Sequence, residues 1–216
     1  MPETPAPETL LLATTNAHKL QEYRALLAGL PLRVLALADV GIGEDVEEGD
    51  VSFLANARLK AQTYWQLAQA RGLRTWVLAD DSGLEVDALG GAPGVMSTRW
   101  AGPESTAATR NILLLARLQA VPPDARGARF RCVIVLLSPD GQETIGDGTV
   151  AGRITLAPRQ HPGYGFGYDP IFELPDRGLT FGELAPADKD AISHRGIAGR
   201  QIRAALLAAL RRSEIP

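Results

Sequence analysis

The sequence predicts an α/β fold built on a mixed sheet. Short apolar runs alternate with helix-patterned stretches in the first half of the chain, strand-like runs stand next to one another in the second half, and neither a repeat nor a linker interrupts the succession. Alternating strands and helices point to parallel pairing, and consecutive strands to antiparallel pairing. The 216 residues, 45% apolar and 22% charged, have an ordinary globular composition and enough length for one sizeable core or two closely joined lobes. A single domain over residues 1–216 is expected, with residues 1–8 as a flexible lead.

TLLLAT, residues 9–14, reads as the first buried strand. NAHKLQEYRALLAG follows, with Leu20, Tyr23 and Leu27 at helical spacing and Gly29 as its C-terminal stop. LRVLAL is a second strand, and ADVGIGEDVEEGD an acidic loop. Ser52 caps a long helix whose inner face carries Phe53, Ala57, Ala61, Tyr64 and Ala68. RTWVLA is a strand that ends at Asp80 and Asp81. After the loop GGAPGVMSTRWAGPES, STAATRNILLLARL reads as a helix and VPPDARGA as a turn. RFRCVIVLLS and GQETIGDGTVAGRIT are strands joined by a turn at residues 139–141. The Gly-rich HPGYGFGYDPIF precedes a last amphipathic helix, SHRGIAGRQIRAALLAALRR, with Ala198, Ile202, Leu206 and Ala209 on one face.

A net charge of −3 provides no broad positive field, which argues against nucleic acid and anionic membrane as partners. No apolar run reaches the roughly 18 residues that suggest a membrane span. MPETPAPET is acidic, proline-rich and lacks a basic segment, so a short lead is expected there and not a signal peptide. Cys132, the single cysteine, lies in the apolar run FRCVIVLL. It reads as a core thiol, excludes an intrachain disulfide and fits a cytoplasmic setting.

The stretch VLADDSGLEVDALGGAPG sets Asp80 and Asp81 side by side before Ser82. Adjacent carboxylates repel when desolvated, so the pair is costly unless a cation or a reaction uses it; a polar turn after a strand is the plainer alternative. In ATTNAHK a strand gives way to a helix at Thr15 or Asn16. Open N–H groups and the helix dipole favour an anion there, with Lys19 one turn in. An ordinary cap beside a solvated lysine has the same pattern, and the spacing is not that of a Walker loop. Asn56 and Lys60 lie one turn apart beside the apolar face of the long helix. EDVEEGD is either a solvated acidic loop or a source of ligands for Mg²⁺, which needs only one or two carboxylates beside phosphate oxygens and water.

In GYGFGYDP, Gly163, Gly165 and Gly167 interleave with Tyr164, Phe166 and Tyr168. Glycine lets a ligand approach the backbone, and the rings could stack on a base. Lys189, His194 and Arg195 gather around a helix start capped by Ser193, donors suited to an anion or a purine carbonyl. No stretch decides alone. Together they fit a nucleoside triphosphate with Mg²⁺.

The blocks TTNAHKLQEY, FLANARLKA, ADDSGLEVDALGGAPGVMSTRWAG, GFGYDPIF and SHRGIAGR, in that order, closely resemble the inosine/xanthosine triphosphatase family, pyrophosphatases of non-canonical purine nucleoside triphosphates. The resemblance extends over residues 9–210. It implies hydrolysis of dITP, ITP and XTP to the monophosphate and pyrophosphate, with Mg²⁺ as cofactor and Mn²⁺ as its substitute, by a homodimer. The fold it implies is an elongated, twisted mixed sheet flanked by helices, in two lobes around a central substrate cleft. By resemblance, Thr14, Thr15, Asn16, Ala17, His18 and Lys19 bind the triphosphate, supported by Asn56 and Lys60. Asp81 is the proton acceptor and a metal-associated carboxylate, and Ser82 contacts substrate. Phe166, Gly167, Tyr168, Asp169, Lys189, His194 and Arg195 hold the nucleoside.

The chain departs from the family pattern in two places. Ala55 stands where Glu is common, which would remove an outer carboxylate, and EEGDVS replaces the usual Glu-Glu-Thr-Gly block. Glu48 is the first choice of metal ligand beside Asp81, and Glu47 the second. Water would attack the α-phosphorus, since no Ser-His-Asp order or reactive-cysteine context argues for a covalent intermediate. Two other readings stay in view: a hydrolase of ordinary or methylated nucleotides, and a nucleotide-binding sensor without catalysis.

Overall fold

The computed structural model describes residues 8–213. The expected lead lies outside the described residues except for Glu8, which opens the first strand. The elements are β1 (Glu8–Leu12), α1 (Ala17–Leu26), β2 (Leu32–Ala36), α2 (Phe53–Ala70), β3 (Trp76–Val86), α3 (Ala107–Arg117), β4 (Gly127–Leu137), β5 (Glu143–Ile154), β6 (Phe172–Leu174), β7 (Leu179–Thr180), α4 (Pro186–Ile192) and α5 (His194–Ser213). A seven-stranded sheet runs in the order β2-β1-β3-β4-β5-β6-β7. β1 is parallel to both β2 and β3, whereas β6 is antiparallel to β5 and β7. The mixed sheet expected from the sequence is therefore present. Among the described residues no helix is long and apolar enough to cross a membrane.

The chain divides into two compact units. Of the described residues, the first comprises 8–81, 133–146 and 198–213. Its core packs Leu11, Val77, Ala79 and Val135 of the sheet against Ala57, Ala61, Tyr64 and Ala68 of α2. The run of alanines keeps that helix face narrow, so helix and strands pack with little intervening volume. Close approach also decides Gly146, where a Cβ would stand 2.7 Å from the Ala198 carbonyl oxygen. The second unit comprises residues 82–132 and 147–197. Its core is aromatic: Phe130, Tyr168, Phe172 and Phe181 pack with Leu84, Val86, Leu114 and Leu118, and Phe130 meets the Phe172 ring edge-on at 4.7 Å.

Local signals in the sequence hold closely. Ser52 Oγ caps α2 by accepting from the Ala55 N–H at 3.1 Å, and all five residues of the expected inner face are buried. Ser193 Oγ accepts from the Gly196 N–H at 3.0 Å at the start of α5. The 139–141 turn closes with the Gly141 N–H donating to the Ser138 carbonyl at 2.9 Å. Cys132 is buried as expected.

Three readings change. β3 does not end at the aspartates but runs from Trp76 to Val86. What ends there is its parallel partner: the β1 register stops at Leu12 opposite Leu78, two residues before Asp80. The inner row of α5 continues from Leu206 to Leu210, 4% exposed, and passes over Ala209, because a straight helix keeps the i, i+4 row on one face. β6 and β7 had no periodic signal, since two or three residues are too few to show an alternation, and the seven residues of α4 make only about two turns.

Candidate active site

In the first unit, β3 carries Asp80 and Asp81 past the end of β1, where lysines from two helices meet them. Asn16 is the N-cap of α1, which puts Lys19 in the first turn, and its Nζ lies 2.9 Å from Asp80 Oδ2. From α2, Lys60 Nζ binds Glu48 Oε1 and lies 3.8 Å from Asp81 Oδ1. Asn56, one turn earlier and buried, donates from Nδ2 to Asp81 Oδ2 at 2.9 Å. The same amide grips the acidic loop, donating to the Gly49 carbonyl at 3.1 Å and accepting from the Gly49 N–H at 3.0 Å. One asparagine therefore fixes both the carboxylate and the loop that bears Glu48.

The aspartates are 2% and 5% exposed, which decides their electrostatics. Burial pushes the Asp81 carboxyl up to about 6, with the charge of Glu48 adding to the rise. Lys60, the Asn56 hydrogen bond and Lys19 pull the other way without cancelling it. Burial also works against the Lys60 ammonium, but Asp81, Asp80 and Glu48 outweigh it and hold Lys60 above its ordinary value. Asp81 is thus mostly ionised at neutral pH and still a competent proton acceptor.

The start of α1 is less open than expected. Asn16 Oδ1 accepts from the N–H groups of His18 at 3.0 Å and Lys19 at 3.2 Å. Thr14 Oγ1 accepts from the Asn16 N–H at 3.2 Å. An anion there would compete with side-chain caps for those donors. Thr15, Ala17 and His18 are exposed.

In the second unit, Arg195 is the largest fully buried side chain, and its Nη2 donates to Ser82 Oγ at 2.8 Å. Lys189 Nζ is 2.7 Å from Asp169 Oδ2, both side chains almost fully buried. The same Asp169 oxygen accepts from the Phe166 N–H at 2.7 Å. Lys189 Nζ lies 4.2 Å and the Arg195 guanidinium 5.8 Å from the Phe166 ring centroid, within reach of cation–π attraction. Gly165, at φ +69°, passes so close to Gly182 that a Cβ would be 3.1 Å from its Cα. His194 is buried and stacks on Phe130 with centroids 4.6 Å apart.

Tyr168 needs correction as a stacking face. Its ring belongs to the apolar core of the second unit, and its hydroxyl donates to the Ser97 carbonyl at 3.0 Å. Burial raises the phenol pKa. An alternating Gly-aromatic pattern does not say which rings turn inward, and Tyr168 is the one that does. Sequence reading also missed Gly49 as the partner of Asn56 and the ion pair between Lys19 and Asp80. Neither pairing has a local signal.

Among the described residues no group of three or more His, Cys, Asp or Glu side chains could hold a metal ion by itself. Glu48 and Asp81 nevertheless converge on one cationic nitrogen, that of Lys60. Ala55 is exposed, in the first turn of α2. A glutamate there would complete a capping box with Ser52, so the departure at this position bears on the helix start.

Residues 10–205 match the profile of the Ham1 family. A protein of Xanthomonas axonopodis pv. citri named dITP/XTP pyrophosphatase is 48% identical over 191 residues, covering 88% of this chain and 92% of that one. One of the same name from Geobacillus kaustophilus is 45% identical over 186 residues, covering 86% and 88%. The solved structure of a HAM1 protein from Coxiella burnetii superposes with a TM-score of 0.80 at 39% identity, covering 92% of this chain and 98% of that one.

Proposed function

This chain belongs to the Ham1 family, and on that premise we propose that it hydrolyses dITP, ITP and XTP to the nucleoside monophosphate and pyrophosphate, clearing deaminated purines from the nucleotide pool. The observation that carries the reading is Asp81: a buried carboxylate raised to about 6, held by Asn56 and set beside Lys60. The name dITP/XTP pyrophosphatase borne by the Xanthomonas relative supports the substrate class.

In this reading Lys19 and Lys60 exchange their carboxylate partners for the oxygens of the triphosphate. Thr14, Thr15, Asn16, Ala17 and His18 line its path at the start of α1. Asp81 accepts a proton from the water that attacks the α-phosphorus, a role its raised pKa suits. The bond from the α-phosphorus to the bridging oxygen breaks, and pyrophosphate leaves with the electron pair, its charge stabilised by the lysines. Ser82, oriented by Arg195, donates a hydrogen bond to substrate. Phe166, Gly167, Tyr168, Asp169, Lys189, His194 and Arg195 read the nucleoside, Tyr168 through its backbone. Donors from Lys189, His194 and Arg195 favour the 6-oxygen of hypoxanthine and xanthine over the amino group of adenine.

Glu48 and Asp81 fit a hard cation: two oxygen donors meeting at a point already chosen by an ammonium suffice for Mg²⁺, which completes its shell with phosphate oxygens and water. When bound, Mg²⁺, or Mn²⁺ in its place, supplies positive charge that offsets the phosphates and the departing pyrophosphate. By the family resemblance we also infer a homodimer in a cytoplasmic setting.

The test is a panel of ITP, dITP, XTP, GTP, dUTP, 7-methyl-GTP and ATP, with pyrophosphate and orthophosphate detected separately, with and without chelator. Pyrophosphate from ITP, dITP and XTP, lost on chelation, with far less from GTP, dUTP, 7-methyl-GTP and ATP, is expected. Orthophosphate as first product, or full activity in excess chelator, overturns the reading. Glu48→Gln should raise the Mg²⁺ concentration needed for half-maximal rate more than Glu47→Gln does; the reverse order exchanges their roles.

A further inference from the structure

We propose that Asn111 is a positioning residue for base specificity: from α3 its amide holds the Gly167 carbonyl and so orients the 166–169 segment. The proposal rests on the reading of that segment as part of the nucleoside site. Asn111 is 5% exposed. Its Nδ2 donates to the Gly167 carbonyl oxygen at 3.2 Å. Its Oδ1 is buried and, among the described residues, has no hydrogen-bond partner.

Asparagine is a poor choice here for stability. It is a weak helix former, yet α3 places it with Leu114 on its buried face. A buried amide oxygen without a donor costs free energy that an apolar side chain of similar shape would not. The hydrogen bond to Gly167 is what the residue provides in return.

That bond acts on the least anchored part of the segment. Phe166 is tied through its N–H to Asp169, and Tyr168 through its hydroxyl to Ser97. Gly167, at φ +62°, has no side chain to hold it. Its peptide link to Tyr168 is trans, the one cis bond among the described residues being Ala92–Pro93. In a planar trans peptide the N–H points opposite to the carbonyl. Holding the Gly167 carbonyl against α3 therefore aims the Tyr168 N–H away from α3. Asn111 sets the direction of a backbone donor in the segment while touching no substrate itself.

The experiment compares wild type, Asn111→Leu and Asn111→Asp, taking kcat/KM for ITP and ATP together with thermal unfolding. Both variants remove the donor; Leu is apolar and Asp keeps the shape. The ITP-over-ATP ratio should fall about tenfold in each, as expected for one neutral hydrogen bond. The ITP loss should fall mainly on KM, and Asn111→Leu should unfold no earlier than wild type. A wild-type ratio in either folded variant overturns the proposal, as does loss of the folded state in both. A wild-type chain that releases no pyrophosphate from ITP overturns the functional reading itself, and this proposal with it. A selective wild type with an equally selective Asn111→Leu overturns the Asn111 role alone.

Discussion

The carboxylate–lysine cluster of the first unit and the aromatic segment of the second handle buried charge in opposite ways. Around Asp81, the acids Glu48, Asp80 and Asp81 face Lys19 and Lys60, and burial leaves the Asp81 carboxyl raised to about 6. Around Phe166, Lys189 and Asp169 pair at 2.7 Å, and the same Asp169 oxygen also takes a backbone N–H. A group that must accept a proton is kept where its charge is incompletely offset. A group that must hold a shape is paired with its counter-ion.

The largest effect should come from Asp81→Asn. Turnover should fall about 10²–10⁴-fold, the contribution of a general base, with nucleotide binding weakened less. Stability should respond with the opposite sign. The folded carboxyl holds its proton up to about 6, whereas an unfolded aspartate releases it near about 4. Between those values the native state binds more protons, so wild-type stability falls as pH rises through the window, by about 3 kcal/mol in total. Asp81→Asn should show no such decline and should melt no earlier than wild type at pH 7. Urea titrations from pH 4 to 7 measure this; near-wild-type turnover, or marked destabilisation at pH 7, would break the contrast.

Next in size is the pair in the second unit. Lys189→Met leaves the Asp169 carboxylate buried without its counter-ion and should cost about 3 kcal/mol. Lys189→Met with Asp169→Leu should recover part of that loss in urea unfolding. A fully stable single variant would mean the pairing does not hold the segment.

Lys60→Met tests the first unit's cations. Loss of a charge-assisted contact to phosphate should lower kcat/KM about tenfold, by similar factors for ITP, XTP, GTP and ATP. Because Lys60 pulls the Asp81 pKa down, the acidic limb of the pH–rate profile should move upward in its absence. A base-dependent loss would assign Lys60 to recognition instead. The smallest effect belongs to Ala55→Glu, which should add about 0.5 kcal/mol by completing the cap with Ser52 and leave turnover unchanged. A change in Mg²⁺ requirement would restore the view of this position as an outer carboxylate.

Much of this arrangement is legible in the sequence. The inner face of α2, the Ser52 and Ser193 caps and the turn at residues 139–141 follow from contacts within a few residues, where spacing is geometry. The course of β3 through the aspartates was not, because Ala79, Asp80 and Asp81 look like a strand end unless the neighbouring strand is known. Tyr168 and Phe166 are chemically similar and two residues apart, yet the core takes the Tyr168 ring while Phe166 stays half-buried. Asn111 stood within a helical pattern with nothing nearby to mark its link to Gly167.

By itself the sequence determined the α/β class, the capped starts of α2 and α5, the order of the motif blocks and the residue types available for chemistry. All of these depend on neighbours along the chain. Only the tertiary structure decided that Lys19 answers Asp80, that Lys60 stands between Glu48 and Asp81, and that Asn56 binds Asp81 and Gly49 together. The physical reason is that charge interactions depend on distance and on the surrounding dielectric. Neither is set by separation in sequence, and the burial that raises the Asp81 pKa exists only once the strands and helices have packed.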